Sequence, residues 1–289
     1  MANNTVLKLA DCHNKFITFL QGKKRAGATI LAYGKDIDQL VLFLTTSGKS
    51  DVSLVTQKDI EAFLTKLSQN GYTQKSISRK INSIKTFYRF LKISGIITED
   101  PAVFISHPKY DVKPPRILSK LEYRALRDAC REDPRISAIV ELLLQTGIRI
   151  GELAALKLED VSDNMLNIKP MEGHNGREIP LNKAAKVALT RYLEVRPKTN
   201  DHALFVTKTG RPLLIRNIRT AIDRYFKMAG IKDAKVNDLR HTFIAHHLMA
   251  GTSLVLVSKL AGHKRLSTTE KYLDLVKDKV EEKVKLGEL

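Results

Sequence analysis

The stretch "ISHPKYDVKPPRILS", residues 105–119, divides the rest of the sequence in two. Pro108, Pro114 and Pro115 interrupt a chain that is otherwise periodic, and Lys109, Lys113 and Arg116 are interspersed with them. Proline fixes φ and removes a backbone donor, so such a run favours an extended linker over a helix. The reading is a basic linker over residues 108–116, a first domain over 1–107 and a second over 117–289.

Upstream of the linker the pattern is helical throughout. Residues 4–21 place Val6, Leu9, Phe16, Ile17 and Leu20 at helical spacing, and 28–46 do the same with Ile30, Leu31, Ile37, Leu40, Val41 and Leu44. "TQKDIEAFLTKL" opens on Thr56 as an N-cap, with Asp59 three residues on. A fourth helix over 74–94 has an apolar set of Ile77, Ile81, Ile84, Tyr88 and Leu91. A second face carries Lys75, Arg79, Lys85, Arg89 and Lys92, and Gly95 ends the helix.

Downstream the pattern is mixed. Helical stretches include "PRISAIVELLLQTG", "NKAAKVALTRYLEV", "IRNIRTAIDRYFKMAG", "VNDLRHTFIAHHLMAG" and "SLVLVSKLAG". "MLNIKP" and "GREIPL" read as short strands joined by a turn with Gly173 and Gly176, and "HALFVT" as another strand. "KDKVEEKVKLGEL" at the C-terminus reads as a short charged helix.

The whole chain is basic. Its 289 residues carry a formal charge of +18. Residues 1–110 hold 16 Lys and Arg against 8 Asp and Glu, and the remainder 33 against 23. Both parts share the excess, which suits a protein that grips a polyanion from two sides, and nucleic acid is the commonest polyanion. Cys12 and Cys130 form no CxxC pair or disulfide framework. No signal peptide is apparent and no apolar run approaches the ~18 residues that would span a bilayer. A cytoplasmic, nucleoid-associated protein is expected, without membrane partners.

Three short motifs hold the chemistry. Arg149 lies in "TGIRIGELAALKLEDV", with Gly147 permitting a close backbone approach and Glu152 three residues on. Arg240 lies in "NDLRHTFIAHHL", where Asp238 is placed to start the helix. His263 and Tyr272, nine residues apart, lie in "LAGHKRLSTTEKYLDL", with Tyr272 expected on a helix begun by Ser267. A metal reading of His241, His246, His247 and His263 fails on spacing: His241 and His246 are five apart, and no acidic residue or cysteine completes a ligand set. No metal or other cofactor is expected. Taken together, two arginines can bridge the non-bridging oxygens of a phosphodiester, a histidine can donate or exchange a proton, and a tyrosine can attack phosphorus. Arginines in that role supply the charge that a metal would otherwise bring.

In this order the motifs resemble the arginine and nucleophile boxes of the tyrosine site-specific recombinases, or phage integrase family, and most resemble its compact Xer-type members. The resemblance spans almost the whole chain. It implies a mainly α fold with a small β-sheet in the catalytic domain (α+β), arranged as a two-domain C-shaped clamp on duplex DNA. Residues 1–107 would be the helical SAM-like core-binding domain, with Lys75, Arg79, Lys85 and Arg89 against DNA. No arm-binding module of the larger phage integrases is expected. Tyr272 would be the nucleophile, leaving a 3′-phosphotyrosyl link and a free 5′-hydroxyl. Arg149, Arg240 and His263 would contact the scissile phosphate, and Glu152 would orient Arg149. Strand exchange would proceed through a Holliday junction in a synaptic tetramer, on a double-stranded site with inverted repeats, alone or with a partner recombinase. The tail after Tyr272 would dock on a neighbouring protomer.

Two positions depart from the family pattern. Asn237 stands where the second box usually has a histidine or lysine, and asparagine carries no proton. The lysine of the β-hairpin turn, which would protonate the leaving 5′-oxygen, has no exact counterpart: Glu172 falls near its position, Lys169 lies three residues early, and His174 is a second candidate. Lys169 is preferred, because an ammonium is the better-matched acid for an alkoxide. These departures leave an alternative open, a weakened relative that binds specific DNA without cutting it.

Overall fold

The structure, a computed structural model, describes residues 8–171 and 174–280, the side chains of 277–280 excepted. Val6, Glu172, Gly173 and residues 281–289 therefore lie outside the described residues. The chain divides between Val112 and Lys113 into two compact units. Among the described residues the secondary structure is helical except for one two-stranded sheet.

The first unit is built on α1 (Leu9–Gly22), α2 (Gly27–Thr46), α3 (Gln57–Gln69) and α4 (Gln74–Ile93). The apolar set of α4 is buried as its spacing requires, and Phe87 meets Phe16 of α1 edge-on at 5.3 Å. Thr56 caps α3, and Asp59 accepts a hydrogen bond from its backbone N–H at 2.8 Å. Leu31 departs from its expected place: it is exposed, because α2 turns only one side to the core.

This core also holds a charge. Asp36 of α2 is 2% exposed. It accepts hydrogen bonds from both terminal nitrogens of Arg79, from Lys80 Nζ at 2.8 Å and from Ser83 Oγ at 2.8 Å. Lys80 is buried too and reaches Gln39 at 2.6 Å. A buried carboxylate is tolerable only when saturated in this way.

The second unit contains α5 (Lys120–Cys130), α6 (Pro134–Thr146), α7 (Ile150–Ala155), β1 (Met165–Ile168), β2 (Arg177–Pro180), α8 (Lys183–Val195), α9 (Ile215–Met228), α10 (Val236–Met249), α11 (Leu254–Ala261), α12 (Ser267–Glu270) and α13 (Leu273–Val280). β1 and β2 are antiparallel, with Ile168 opposite Arg177. "HALFVT" is not a strand. Leu204, Phe205 and Val206 are all buried, and their backbone bonds go to separate partners, Leu156 and Leu213, so no ladder forms. Asp238 does not start α10 either. It is the third residue of the helix, and its carboxylate accepts from the Lys235 N–H at 2.7 Å.

Candidate active site

The site is assembled where the ends of three helices, α6, α7 and α11, meet. α6 stops at Gly147 in the left-handed region (φ 61°), and a Cβ there would lie 2.2 Å from the Phe243 ring. Arg149 follows as the N-cap of α7 with extended backbone (φ −78°, ψ 149°). The Arg149–Glu152 pair is thus a cap contact, in which Glu152 accepts from the Arg149 N–H at 2.8 Å and from its Nη1 at 2.9 Å. α11 stops at Gly262 (φ 65°), where a Cβ would lie 2.8 Å from the Arg177 guanidinium carbon. Only glycine allows that approach, and the chain then delivers His263.

Three arginines converge on the end of α11. Arg177 Nε donates to the Leu260 carbonyl at 2.7 Å, Arg240 Nη2 to Ala261 at 2.6 Å, and Arg149 Nη2 to Gly262 at 2.8 Å. Successive carbonyls at the negative end of a helix are natural guanidinium partners. Arg240 Nη1 also donates to the Gly147 carbonyl, which ties the end of α6 to the end of α11.

Glu152, 4% exposed, sits between two of the three. Both terminal nitrogens of Arg177 bond its carboxylate at 2.9 Å, alongside the bond from Arg149. Burial alone would push the carboxyl upward, but the hydrogen bonds and charges of Arg177 and Arg149 hold it at about 2. One carboxylate against three guanidiniums leaves a net positive site. Burial, and then the Arg149 charge, pull Arg240 down to about 10, so it remains cationic at neutral pH.

His263 Nδ1 shares a hydrogen bond of 2.7 Å with Thr269 Oγ1. Burial lowers this imidazole to about 4, helped by Arg240, Arg149 and Arg177, so the ring is neutral near pH 7. Beside it a cleft of about 480 Å³ is lined by Asn175, Gly176, Arg177, His263 and Lys264, among others. Tyr272 is not on a helix: α12 begins at Ser267 as expected but ends at Glu270, and Tyr272 occupies the turn between α12 and α13. Tyr272 is 5% exposed, and its hydroxyl shares a hydrogen bond of 2.6 Å with His241 Nδ1. Burial raises the phenol, while Arg240 opposes.

The structure thus brings Arg149, Glu152, Arg240 and His263 together, and Arg240 acts electrostatically on Tyr272. The other expected residues are placed differently. Lys169 is exposed and pairs with exposed Glu159 at 2.7 Å and buried Asp160 at 2.9 Å. His174 is half-buried within the electrostatic reach of Arg149, Lys264 and Arg177, and its Nδ1 is buried without a hydrogen-bond partner. Asn237 is exposed near the start of α10. In the first unit Lys75 and Arg89 are exposed, Arg79 is tied to Asp36, and Lys85 Nζ donates to the Val103 carbonyl at 3.3 Å. Sequence analysis did not single out Arg177, and it weighed His241 only as a metal ligand. Arg177 stands in the quoted strand "GREIPL", but its partners lie 25 and 83 residues away. Among the described residues no group of three or more His, Cys, Asp or Glu could hold a metal ion.

A cluster of guanidiniums beside a neutral histidine and a tyrosine suits phosphoryl transfer to a phenol. Comparison with known proteins agrees with that chemistry. Residues 116–279 match the phage integrase family and residues 14–95 its N-terminal SAM-like domain. The tyrosine recombinase XerC of Bacillus pumilus is 33% identical over 278 residues, covering 91% of each chain. The chain belongs to the phage integrase family. Among solved structures, a lambda integrase tetramer bound to a Holliday junction matches with a TM-score of 0.77 at 20% identity, over 92% of this chain and 80% of that one. The Tn1549 transposon integrase in complex with transposon right end DNA matches at 0.79 and 18%, over 96% and 99%. At these identities the likeness is one of fold.

Proposed function

We propose that this protein is a site-specific tyrosine recombinase that cuts and rejoins DNA through a covalent link to Tyr272. The observation that carries the reading is the convergence of Arg149, Arg177 and Arg240 on three successive carbonyls, with a single carboxylate among them. This arrangement fixes the guanidiniums before substrate arrives. Their excess charge is then available to the non-bridging oxygens of a scissile phosphate, where it counts most as charge builds on phosphorus. Neutral His263 adds a donor without adding charge. Tyr272 attacks, the 5′-oxygen leaves, and the bond energy is kept in the 3′-phosphotyrosyl link, so rejoining to a partner strand needs no nucleotide cofactor. Lys169 or His174 protonates the leaving oxygen. His174 already stands among the site arginines, whereas Lys169 must first leave Glu159 and Asp160.

The structures of lambda integrase on DNA and as a tetramer on a Holliday junction support the same assembly here: a tetramer on duplex sites with inverted repeats, alone or with a partner recombinase. Lys75, Arg79, Lys85 and Arg89 contact the DNA backbone. Among the described residues no helix is long and apolar enough to cross a membrane, and action on DNA places the protein with the nucleoid in the cytoplasm.

The test is a nicked suicide substrate built on a site selected from random DNA. The wild type should yield an SDS-resistant protein–DNA adduct, and Tyr272→Phe should yield none, a loss on the order of 10⁴-fold or more. Tight, specific binding by the wild type without an adduct would favour a DNA-binding relative that does not cut.

A further inference from the structure

Arginine clamps account for the phosphate but not for the phenolic proton. A phenol with a pKa near 10 is a poor nucleophile at neutral pH, and burial of Tyr272 raises it further. Something must accept that proton as attack proceeds. His263 is an unsuited acceptor: its Nδ1 is engaged by Thr269, and Arg240, Arg149 and Arg177 all oppose a second charge on its ring. Asn237 carries no proton and is exposed.

The Tyr272 hydroxyl already has a partner. His241 Nδ1 lies 2.6 Å from it, and the two rings are tilted against each other with centroids 5.8 Å apart. A buried O–H needs an acceptor, and a neutral imidazole nitrogen is a good one. The groups acting on His241 are Asp238 and Arg240 on its own helix, with Tyr272 in contact and His263 coupled to it from beyond α11. Burial, with Arg240, lowers His241 below its ordinary 6.5, so the ring is neutral and ready to accept at pH 7; Asp238 stabilises the cation once formed.

We propose that His241 is the general base of strand cleavage, taking the Tyr272 proton through Nδ1 as the phenolic oxygen attacks phosphorus. This inference rests on the recombinase reading. The Tyr272 oxygen–phosphorus bond forms and the bond from phosphorus to the 5′-oxygen breaks. The phenolic proton moves to His241, and a separate acid, Lys169 or His174, protonates the leaving oxygen. In rejoining, the 5′-hydroxyl returns its proton to that acid's conjugate base, and His241 returns its own to Tyr272. His241 is thus base in one direction and acid in the other.

The experiment compares wild type with His241→Asn, whose side-chain amide keeps a hydrogen-bonding group near the Nδ1 position but takes no proton, and with His241→Gln. Adduct formation is timed from pH 5 to 9 on an ordinary nicked substrate and on one with sulfur at the 5′-bridging position. Sulfur leaves without protonation, so that substrate bypasses the acid and reports the base alone. His241→Asn should bind DNA like the wild type and cleave both substrates at least ~10²-fold more slowly. On the sulfur substrate the wild-type rate should level off above pH 6.5, while the variant rate climbs about tenfold per pH unit as solvent supplies the phenolate. Three results overturn the proposal: near-wild-type cleavage by a variant that binds DNA, rescue of the variant by the sulfur substrate, or a wild-type rate that climbs without levelling to pH 9. The last is read on the wild type alone, so it decides the matter even if both variants misfold. A wild type that forms no adduct on either substrate removes the recombinase reading itself, and the proposal with it.

Discussion

Each unit of this protein holds a buried carboxylate between two cations. In the first, Asp36 is held by Arg79, Lys80 and Ser83. In the second, Glu152 is held by Arg149 and Arg177. The two clusters differ in what their cations do next. Arg79 and Lys80 are adjacent on α4, and Lys80 ends on Gln39, so that cluster closes on itself. Arg149 and Arg177 reach past Glu152 to the end of α11, where Arg240 joins them without a carboxylate of its own. The first cluster therefore fastens helices together. The second accumulates positive charge beside His263, which burial and then that charge lower to about 4, and it opens onto a cleft. Burial of a charge does not mark a functional site; uncompensated charge beside shifted titratable groups does.

Substitutions should separate the clusters, and the largest effect after loss of Tyr272 itself falls on Glu152. Glu152→Gln leaves Arg149 and Arg177 without their shared anchor, and adduct formation should drop by ~10²–10³-fold even at saturating DNA. The same change bears on stability. Glu152 is held at about 2 in the folded chain against an ordinary 4.5. Its stabilising contribution is complete above pH 4.5 and is lost as pH falls towards 2. Denaturant unfolding at pH 7 should show Glu152→Gln less stable by about 3 kcal/mol, with the gap narrowing below pH 4.5. A gap that widens in acid would contradict this assignment.

Asp36→Asn should reverse the balance. Removing the anion strands Lys80 inside the first unit, at a cost of ~3–5 kcal/mol. Chemistry at saturating DNA should be unchanged in the protein that remains folded. Slowed cleavage by folded Asp36→Asn would erase the distinction between the clusters. The smallest effect belongs to the exposed cations of α4. Lys75→Ala should lower DNA affinity modestly and reduce the slope of log affinity against log salt by about 0.9. Arg79→Ala should lower stability as well as affinity, because its guanidinium also holds Asp36.

How much of this the sequence disclosed follows from the range of the interactions. The helix α4 was legible because Ile77, Ile81, Ile84, Tyr88 and Leu91 repeat at helical spacing, and all are buried. The Thr56–Asp59 cap and the glycine stops at Gly147 and Gly262 were legible because a cap is a local device. "HALFVT" misled because three consecutive buried apolar residues look the same in a strand and in an irregular core segment. Arg79 looks like Lys75 and Arg89 on the basic face of the helix, and only Asp36, 43 residues earlier, sets it apart as a residue that holds the fold. The four residues named from motifs each sit in a recognisable string. Arg177 and His241 do not stand out in theirs, because their meaning comes from Glu152, Leu260 and Tyr272 across the fold.

The central claim is that this cluster of arginines serves one nucleophile, Tyr272. Its most direct test is to digest the trapped protein–DNA adduct with protease and nuclease and read the modified peptide by mass spectrometry. The account predicts one modified peptide, carrying a nucleotide 3′-phosphate on Tyr272. The same modification on any other residue, or a 5′-phosphate linkage, would contradict it.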